Sequence, residues 1–262
     1  MKKYAIVTGA SGGIGYEIAK LLAIDSKNLI LIARSEKTLN EVHEELLKIN
    51  SNIDVKIIVA DLSLVESAQL IKKHTDMLNA EIDILVNNAG FGDFGKYWET
   101  SYEKETQMIN LNITTLAQLT KIYLPEMIKN KSGKILNVAS VAGFMPGSYM
   151  TVYYATKAFV LSYTEGLAGE LKGTGVSVSA LCPGPTKTGF EEKASLGNSD
   201  LFKAMPNATA SSVAKLGYKG MMKGKTIIIT GFTNKISVFA IRLFPRCIVR
   251  NMVKSIQKGS LK

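Results

Sequence analysis

The chain has 262 residues, 46% hydrophobic, 21% charged and 8% aromatic, a profile that excludes disordered, collagen-like and disulfide-miniprotein classes. Its two cysteines, Cys182 and Cys247, are too few for a disulfide framework or a metal cluster and fit a reduced, cytoplasmic setting. The net charge of +10 is uneven: residues 1–200 hold 20 Lys+Arg against 22 Asp+Glu, whereas residues 201–262 hold 12 Lys+Arg and no acid.

Lys2 and Lys3 lead into an apolar run too short for a signal peptide, and later apolar runs are broken by charge before they reach a bilayer-spanning length. Strand-like runs then recur at Tyr4–Thr8, Leu29–Ala33, Val55–Ala60, Ile84–Asn87, Lys134–Val138, Val176–Leu181 and Thr226–Ile229. They are continuous in Val, Ile and Leu, as strands covered on both faces are. Helical patterns fall between them at Ile14–Ala23, Glu36–Lys48, Leu64–Leu78, Tyr102–Lys129, Val152–Leu171 and Ser211–Met222. This alternation predicts an α/β doubly wound parallel sheet of about seven strands with helices on both faces. Pro183–Thr209, rich in Pro and Gly, interrupts the rhythm and reads as a flexible flap. The predicted organisation is one domain over 1–233 and a basic C-terminal helical extension over 234–262.

The first strand runs directly into Thr8-Gly9-Ala10-Ser11-Gly12-Gly13-Ile14-Gly15, with a helix starting inside it. Glycines there allow a sharp turn and let a pyrophosphate approach the amides at the helix N-terminus. At the end of the second strand, where an acid would hold the ribose hydroxyls of NAD, the sequence has Arg34. A guanidinium matches a phosphate better than a hydroxyl pair, so NADP(H) is expected, with NAD(H) second. Asp61, with Leu62 beside it, follows the third strand. It is either an acceptor for the adenine amino group or an ordinary helix N-terminal acid.

Tyr153 and Lys157 lie four apart on one predicted helical face. A nearby cation would stabilise the phenolate and bring a tyrosine, with its usual pKa of about 10, toward working pH. Ser140 follows the strand Lys134–Val138 at the sheet's carboxyl edge, where its hydroxyl can hold a carbonyl oxygen.

Together the glycine turn, Asn87-Asn88-Ala89-Gly90, Asn112, Ser140, Tyr153 with Lys157, and Cys182-Pro183-Gly184 resemble the short-chain dehydrogenase/reductase family in order and spacing. The resemblance covers residue 4 to about 230, and the members it most resembles are the single-domain, NADP-preferring bacterial ketoacyl and carbonyl reductases. It implies a Rossmann domain and hydride transfer between a nicotinamide cofactor and a carbonyl or alcohol. It further implies Tyr153 as general acid/base, Ser140 as oxygen orienter, Lys157 on the nicotinamide ribose and Asn112 in a proton relay. By the same resemblance, Gly9, Ser11, Gly13, Ile14 and Gly15 cradle the phosphates, and Asn88, Ala89 and Gly90 wall the cofactor site. Pro183, Gly184, Thr186 and Thr188 meet the nicotinamide amide and the phosphates. Two positions depart from the pattern. Thr115 stands where the Asn112 segment usually has glycine, and Gly12 stands where NADP-preferring members often have a basic residue.

Phe91, Phe94, Phe144, Met145, Tyr149, Phe190 and Met205 are the expected substrate wall, an aromatic and Met-rich surface suited to a bulky apolar ketone or aldehyde. In the tail, Arg242, Arg246, Arg250, Lys254, Lys258 and Lys262 recur every fourth residue beside an apolar stripe of Ile248, Val249, Met252, Val253 and Ile256. Packing of that stripe on the domain or on a second subunit is preferred over peripheral contact with an anionic membrane, because no aromatic anchor follows Phe244. Nucleic acid is not an expected partner, since no aromatic platform accompanies the charge. The expected protein is a cytoplasmic NADP-dependent oxidoreductase working as a homodimer or homotetramer. The alternative is a dinucleotide-binding or membrane-peripheral interaction protein with vestigial catalysis.

Overall fold

Successive residues of a strand face opposite ways, and this sequence makes both sets apolar. In β1 (Lys2–Thr8), Ala5 and Val7 enter one buried cluster with Leu29, Leu31 and Leu136, while Tyr4 and Ile6 enter a second with Ile30, Ile32 and Ile135. A sheet that is apolar on both faces needs a helical layer on each, and the chain supplies two.

The computed structural model describes residues 1–188 and 208–258. After β1 come α1 (Gly13–Ile24), β2 (Asn28–Ala33), α2 (Glu36–Ile49), β3 (Val55–Val59), α3 (Ser67–Met77) and β4 (Ala80–Asn87). The middle of the chain forms α4 (Tyr102–Ile109), α5 (Leu116–Lys129), β5 (Gly133–Val138), α6 (Thr151–Glu170) and β6 (Val176–Cys182). The last part holds β7 (Thr186–Lys187), β8 (Ala208–Thr209), α7 (Ala210–Met222), β9 (Ile227–Ile229), α8 (Phe232–Ile241) and α9 (Arg246–Lys258). Seven strands form one sheet in the order β3-β2-β1-β4-β5-β6-β9, with every neighbouring pair parallel. The order reverses between β1 and β4, so loops leaving their carboxyl ends part there and open a crevice.

Several boundaries differ from the sequence reading. The predicted helix over Tyr102–Lys129 is divided by a π turn at Asn110–Thr115. One widened turn leaves the apolar periodicity nearly intact, so the pattern reads as continuous. Thr115, where the family pattern has glycine, donates its hydroxyl to the Leu62 carbonyl at 2.7 Å, within hydrogen-bonding reach of Ser67. The third helix starts at Ser67 rather than Leu64, because Leu64 and Val65 stay exposed in a turn tied by Asp61. The fourth strand extends back to Ala80 through pairing of Lys2–Tyr4 with Ala80–Ile82.

At the predicted flap, β7 pairs with β8 through Thr186–Ala208 and Lys187–Thr209, which joins the two ends of the segment. Residues 189–207, including Phe190 and Met205, lie outside the described residues, as do 259–262. Pro245 separates α8 from α9. The α9 face made by Val249 and Val253 packs into a cluster with Ala142, Met150 and Tyr154.

Candidate active site

The glycine turn is built by close approach. Gly9 and Gly13 have φ of +64° and +57°, and a Cβ on Gly15 would lie 2.5 Å from the Gly9 carbonyl oxygen and 2.4 Å from Asn88 Nδ2. Asn88 fastens the turn to β4: its side-chain amide donates to the carbonyls of Thr8 at 2.9 Å and Gly9 at 3.2 Å. The Thr8 hydroxyl accepts from the amides of Asn88 at 2.9 Å and Ala89 at 3.0 Å, a clamp that the sequence reading missed. No side chain caps α1, so its first amides face the crevice unblocked. Gly9, Ser11, Gly13, Ile14, Ala89 and Gly90 line one cavity of about 940 Å³, and Thr188 sits across from Gly13. A cradle without Cβ atoms, with open helix amides, fits a pyrophosphate.

Arg34 ends β2 on the same cavity, next to Ser35, whose hydroxyl caps α2 by accepting from the Thr38 amide. The exposed Arg34 guanidinium is 4.0 Å from Asp61, a loose pairing that leaves donors free. Asp61 accepts from both the amide and the hydroxyl of Ser63, at 2.9 and 2.7 Å. Burial pushes its carboxyl up, but these hydrogen bonds and Arg34 outweigh burial and hold it below its ordinary value. Asp61 is therefore a turn-tying acid on the cavity wall beside Leu62, six residues ahead of the α3 start rather than in its first turn.

Four candidate catalytic residues come from three separate elements. Ser140 caps a 3-10 turn at Val141–Phe144 and accepts from the Ala142 amide at 3.1 Å. Tyr153 projects from the first turn of α6 and is hydrogen-bonded to Ser140. Lys157, one turn on, is buried and donates to the Val138 carbonyl at 2.8 Å, with its Nζ 5.8 Å from the Tyr153 ring centre. Asn112 lies in the π turn. Its amide donates to the Phe91 carbonyl and to the Thr156 hydroxyl, both at 3.0 Å, and its Oδ1 accepts from the Phe91 amide. Thr156 in turn donates to the Tyr153 carbonyl at 2.7 Å, which links the π turn to the start of α6.

Burial, rather than the Lys157 charge, dominates the electrostatics of the pair. Burial raises the Tyr153 hydroxyl to about 12 against the opposing pull of Ser140, and burial lowers Lys157 to about 8. Desolvation disfavours the charged form of each.

The substrate end also differs from expectation. Phe91 and Met145 line the cavity, whereas Phe94, Phe144 and Tyr149 are not among the lining residues. Phe144 packs under the sheet edge with Leu116 and Val160, and Phe94 packs on the α9 cluster with Tyr149 at its edge. In their place the tail supplies a wall: Val238, Ile241 and Phe244 from α8 and its end, and Val249, Met252, Val253 and Ile256 from α9. Two polar residues pin this roof. Gln257 donates to the buried Tyr154 hydroxyl at 2.9 Å, and Asn234 sits against Gly184, where a Cβ would meet its Nδ2 at 2.4 Å. A lone glutamine continuing the Val249/Val253 spacing was the available signal for this pin. Among the described residues, no group of His, Cys, Asp or Glu is arranged to hold a metal, and no helix is long and apolar enough to cross a membrane.

Comparison with known proteins fits this geometry. Residues 3–198 match the family model for short chain dehydrogenases. An uncharacterized oxidoreductase of Staphylococcus epidermidis is 36% identical over 215 residues, covering 80% of this chain and 89% of that protein. A short-chain dehydrogenase from Sphingobium yanoikuyae in complex with NADPH superposes with a TM-score of 0.81 at 28% identity, covering 93% of this chain and 94% of the other. A short-chain dehydrogenase/reductase from Burkholderia phymatum in complex with NAD gives 0.80 at 25% identity, covering 91% and 92%. With the parallel sheet, the glycine cradle and these relatives in agreement, the chain belongs to the short-chain dehydrogenase/reductase family and is an oxidoreductase that uses a nicotinamide dinucleotide.

Proposed function

We propose that the protein is an NADPH-dependent carbonyl reductase for a bulky apolar ketone or aldehyde, running in either direction with the same residues. The observation that carries this reading is the convergence of Ser140, Tyr153 and Lys157 in the one cavity that also holds the glycine cradle and Arg34. The domain is 1–233 and 234–262 is an extension, of which the part through Ile256 closes the substrate end. Two free cysteines are in keeping with a reducing cytoplasm, and two or four copies are the expected assembly.

The glycine turn and the open α1 amides hold the pyrophosphate, and Asn88, Ala89 and Gly90 wall the nucleotide. Pro183, Gly184, Thr186 and Thr188 flank the nicotinamide end. Arg34 pairs with the 2′-phosphate, with Ser11 and Ser35 nearby on the same wall, and Gly12 leaves room rather than charge. When bound, the nicotinamide supplies or accepts the hydride. Ser140 holds the substrate oxygen, and Tyr153 delivers the proton to that oxygen. Lys157, lowered by burial to about 8, binds the ribose and feeds the tyrosine, while Asn112 fixes the turn through which protons reach it. The roof of α8 and α9 excludes water around an apolar guest.

Turnover of a ketone and aldehyde panel with NADPH and NADH tests the reading. NADPH is expected to bind at least tenfold tighter, and Arg34→Ala is expected to remove most of that preference while leaving NADH affinity unchanged, since a charge-assisted hydrogen bond contributes about 1.5–3 kcal/mol. Equal affinity for the two cofactors in the unmodified protein contradicts the NADP assignment.

A further inference from the structure

The inner face of α8 is fixed by buried Val238, and its opposite side is not covered. Phe232, Ile236, Phe239 and Leu243 follow one another at helical spacing on that outer side and are 77%, 53%, 66% and 69% exposed. Four large side chains in one row form a contiguous apolar surface of the kind that marks an interaction site rather than scattered surface residues. Phe244, also exposed, carries the row onto the cavity rim, where Met252 and Ile256 continue it. Phe232 and Phe239 both precede the basic stripe that begins at Arg242.

Charge decides what covers this face. Lys235 and Arg242 lie along one side of the row on α8, Arg246 stands at the start of α9, and Arg250, Lys254 and Lys258 run along α9 on the side of its buried stripe away from Met252 and Ile256. Among the described residues none of these six forms a salt bridge. Residues 201–262 contain no acid to pair with a partner's cations. A second copy meeting this face across a two-fold axis would bring these cations against their own equivalents, which is repulsive. An anionic lipid surface satisfies both features, because it accepts phenyl and aliphatic side chains at its headgroup boundary and attracts Lys and Arg.

We propose that the outer face of α8, continued by Leu243 and Phe244, docks on an anionic phospholipid bilayer, with the α9 cations adding to the attraction. The docking itself rests on this surface alone. That the cavity's guest then enters from the lipid, past Phe244, Met252 and Ile256, rests on the reductase reading above.

Flotation of the full chain with vesicles of phosphatidylcholine, or of an equal mixture of phosphatidylcholine and phosphatidylglycerol, tests the docking without any activity measurement. The expected result is binding to the mixed vesicles, weakening as salt rises, and little binding to the neutral ones. Phe232→Ser with Phe239→Ser abolishes the binding, and Lys235→Gln with Arg242→Gln weakens it roughly thirtyfold. All four side chains are exposed and outside the cavity lining, and circular dichroism checks that the variants fold. The proposal is overturned by absence of binding to the mixed vesicles or by equal binding to neutral ones. It is overturned equally by a concentration-dependent dimer that the phenylalanine variant dissolves, which would make the face an interface between copies. Should the vesicles bind and the ketone panel give no turnover, the docking stands and only the lipid-entry clause falls.

Discussion

The two ends of the cavity are held in different ways. The nucleotide end is stitched by backbone and short polar side chains within a few residues of the β1, β3 and β4 termini: Thr8 to Asn88 and Ala89, Asn88 to Gly9, Asp61 to Ser63. The substrate end is roofed by two helices from the far end of the sequence, held by Val249, Val253 and one hydrogen bond from Gln257 to Tyr154. A charged, invariant-shaped ligand part suits a rigid cradle, while an apolar guest of some bulk suits a roof kept in place by a few apolar contacts. Substitutions at the two ends should therefore separate: one end governs cofactor binding and the other governs substrate.

The largest expected effect lies where the ends meet. Tyr153→Phe removes one hydroxyl and should lower turnover roughly a thousandfold, the usual range for a positioned acid, with NADPH affinity unchanged in a fluorescence titration. A variant that keeps most of its turnover would put the proton donor elsewhere.

Gly15→Ala breaks the nucleotide end. The added Cβ would sit 2.5 Å from backbone oxygen of Gly9, so the turn has to open. A loss of about 1–3 kcal/mol in urea unfolding is expected, together with loss of the stabilisation that NADPH confers. Unchanged stabilisation by NADPH would mean that the cradle is not where the phosphates bind.

Breaking the substrate end is gentler. Gln257→Leu leaves the Tyr154 hydroxyl buried without its partner and should cost about 1 kcal/mol, raising KM for an apolar ketone but not the NADPH dissociation constant. Tyr154→Phe combined with Gln257→Leu should recover most of that loss, because both polar partners are gone. A shift in NADPH affinity as large as the shift in KM would show that the two ends are not separable.

The same division explains what the sequence revealed. Gly9 to Gly15 and the Tyr153/Lys157 pair are local patterns whose geometry follows from a strand-to-helix turn and one helical face. Unlike Asn88 to Gly90, which came only through the family resemblance, they were readable without the fold. Arg34 was readable for the same reason, as the residue that ends β2. The roof was not, since Gln257 meets Tyr154 only after the chain has crossed the sheet, and an apolar stripe says nothing of what it covers. Phe144 and Phe94 were assigned to the pocket because they lie on loops at the carboxyl ends of strands, yet each had a closer apolar neighbour to pack on. The π turn at Asn110–Thr115 escaped because one extra residue in a turn barely moves an apolar period. The burial of Tyr153 and Lys157 was likewise not legible, because a residue pattern shows the neighbouring cation but not the desolvation of both groups.

The central claim is that this cavity passes a hydride between NADPH and a carbonyl with Tyr153 as proton donor. Single-turnover reaction with NADPH deuterated at the transferring nicotinamide position, read by mass spectrometry of the product alcohol, tests it most directly. The prediction is one deuterium on the former carbonyl carbon of a bulky apolar ketone, and roughly thousandfold slower labelling when Tyr153→Phe is used with the cofactor still bound. An unmodified protein that binds NADPH yet transfers no deuterium to any ketone or aldehyde offered, or a Tyr153→Phe variant that transfers it as fast, would contradict the account.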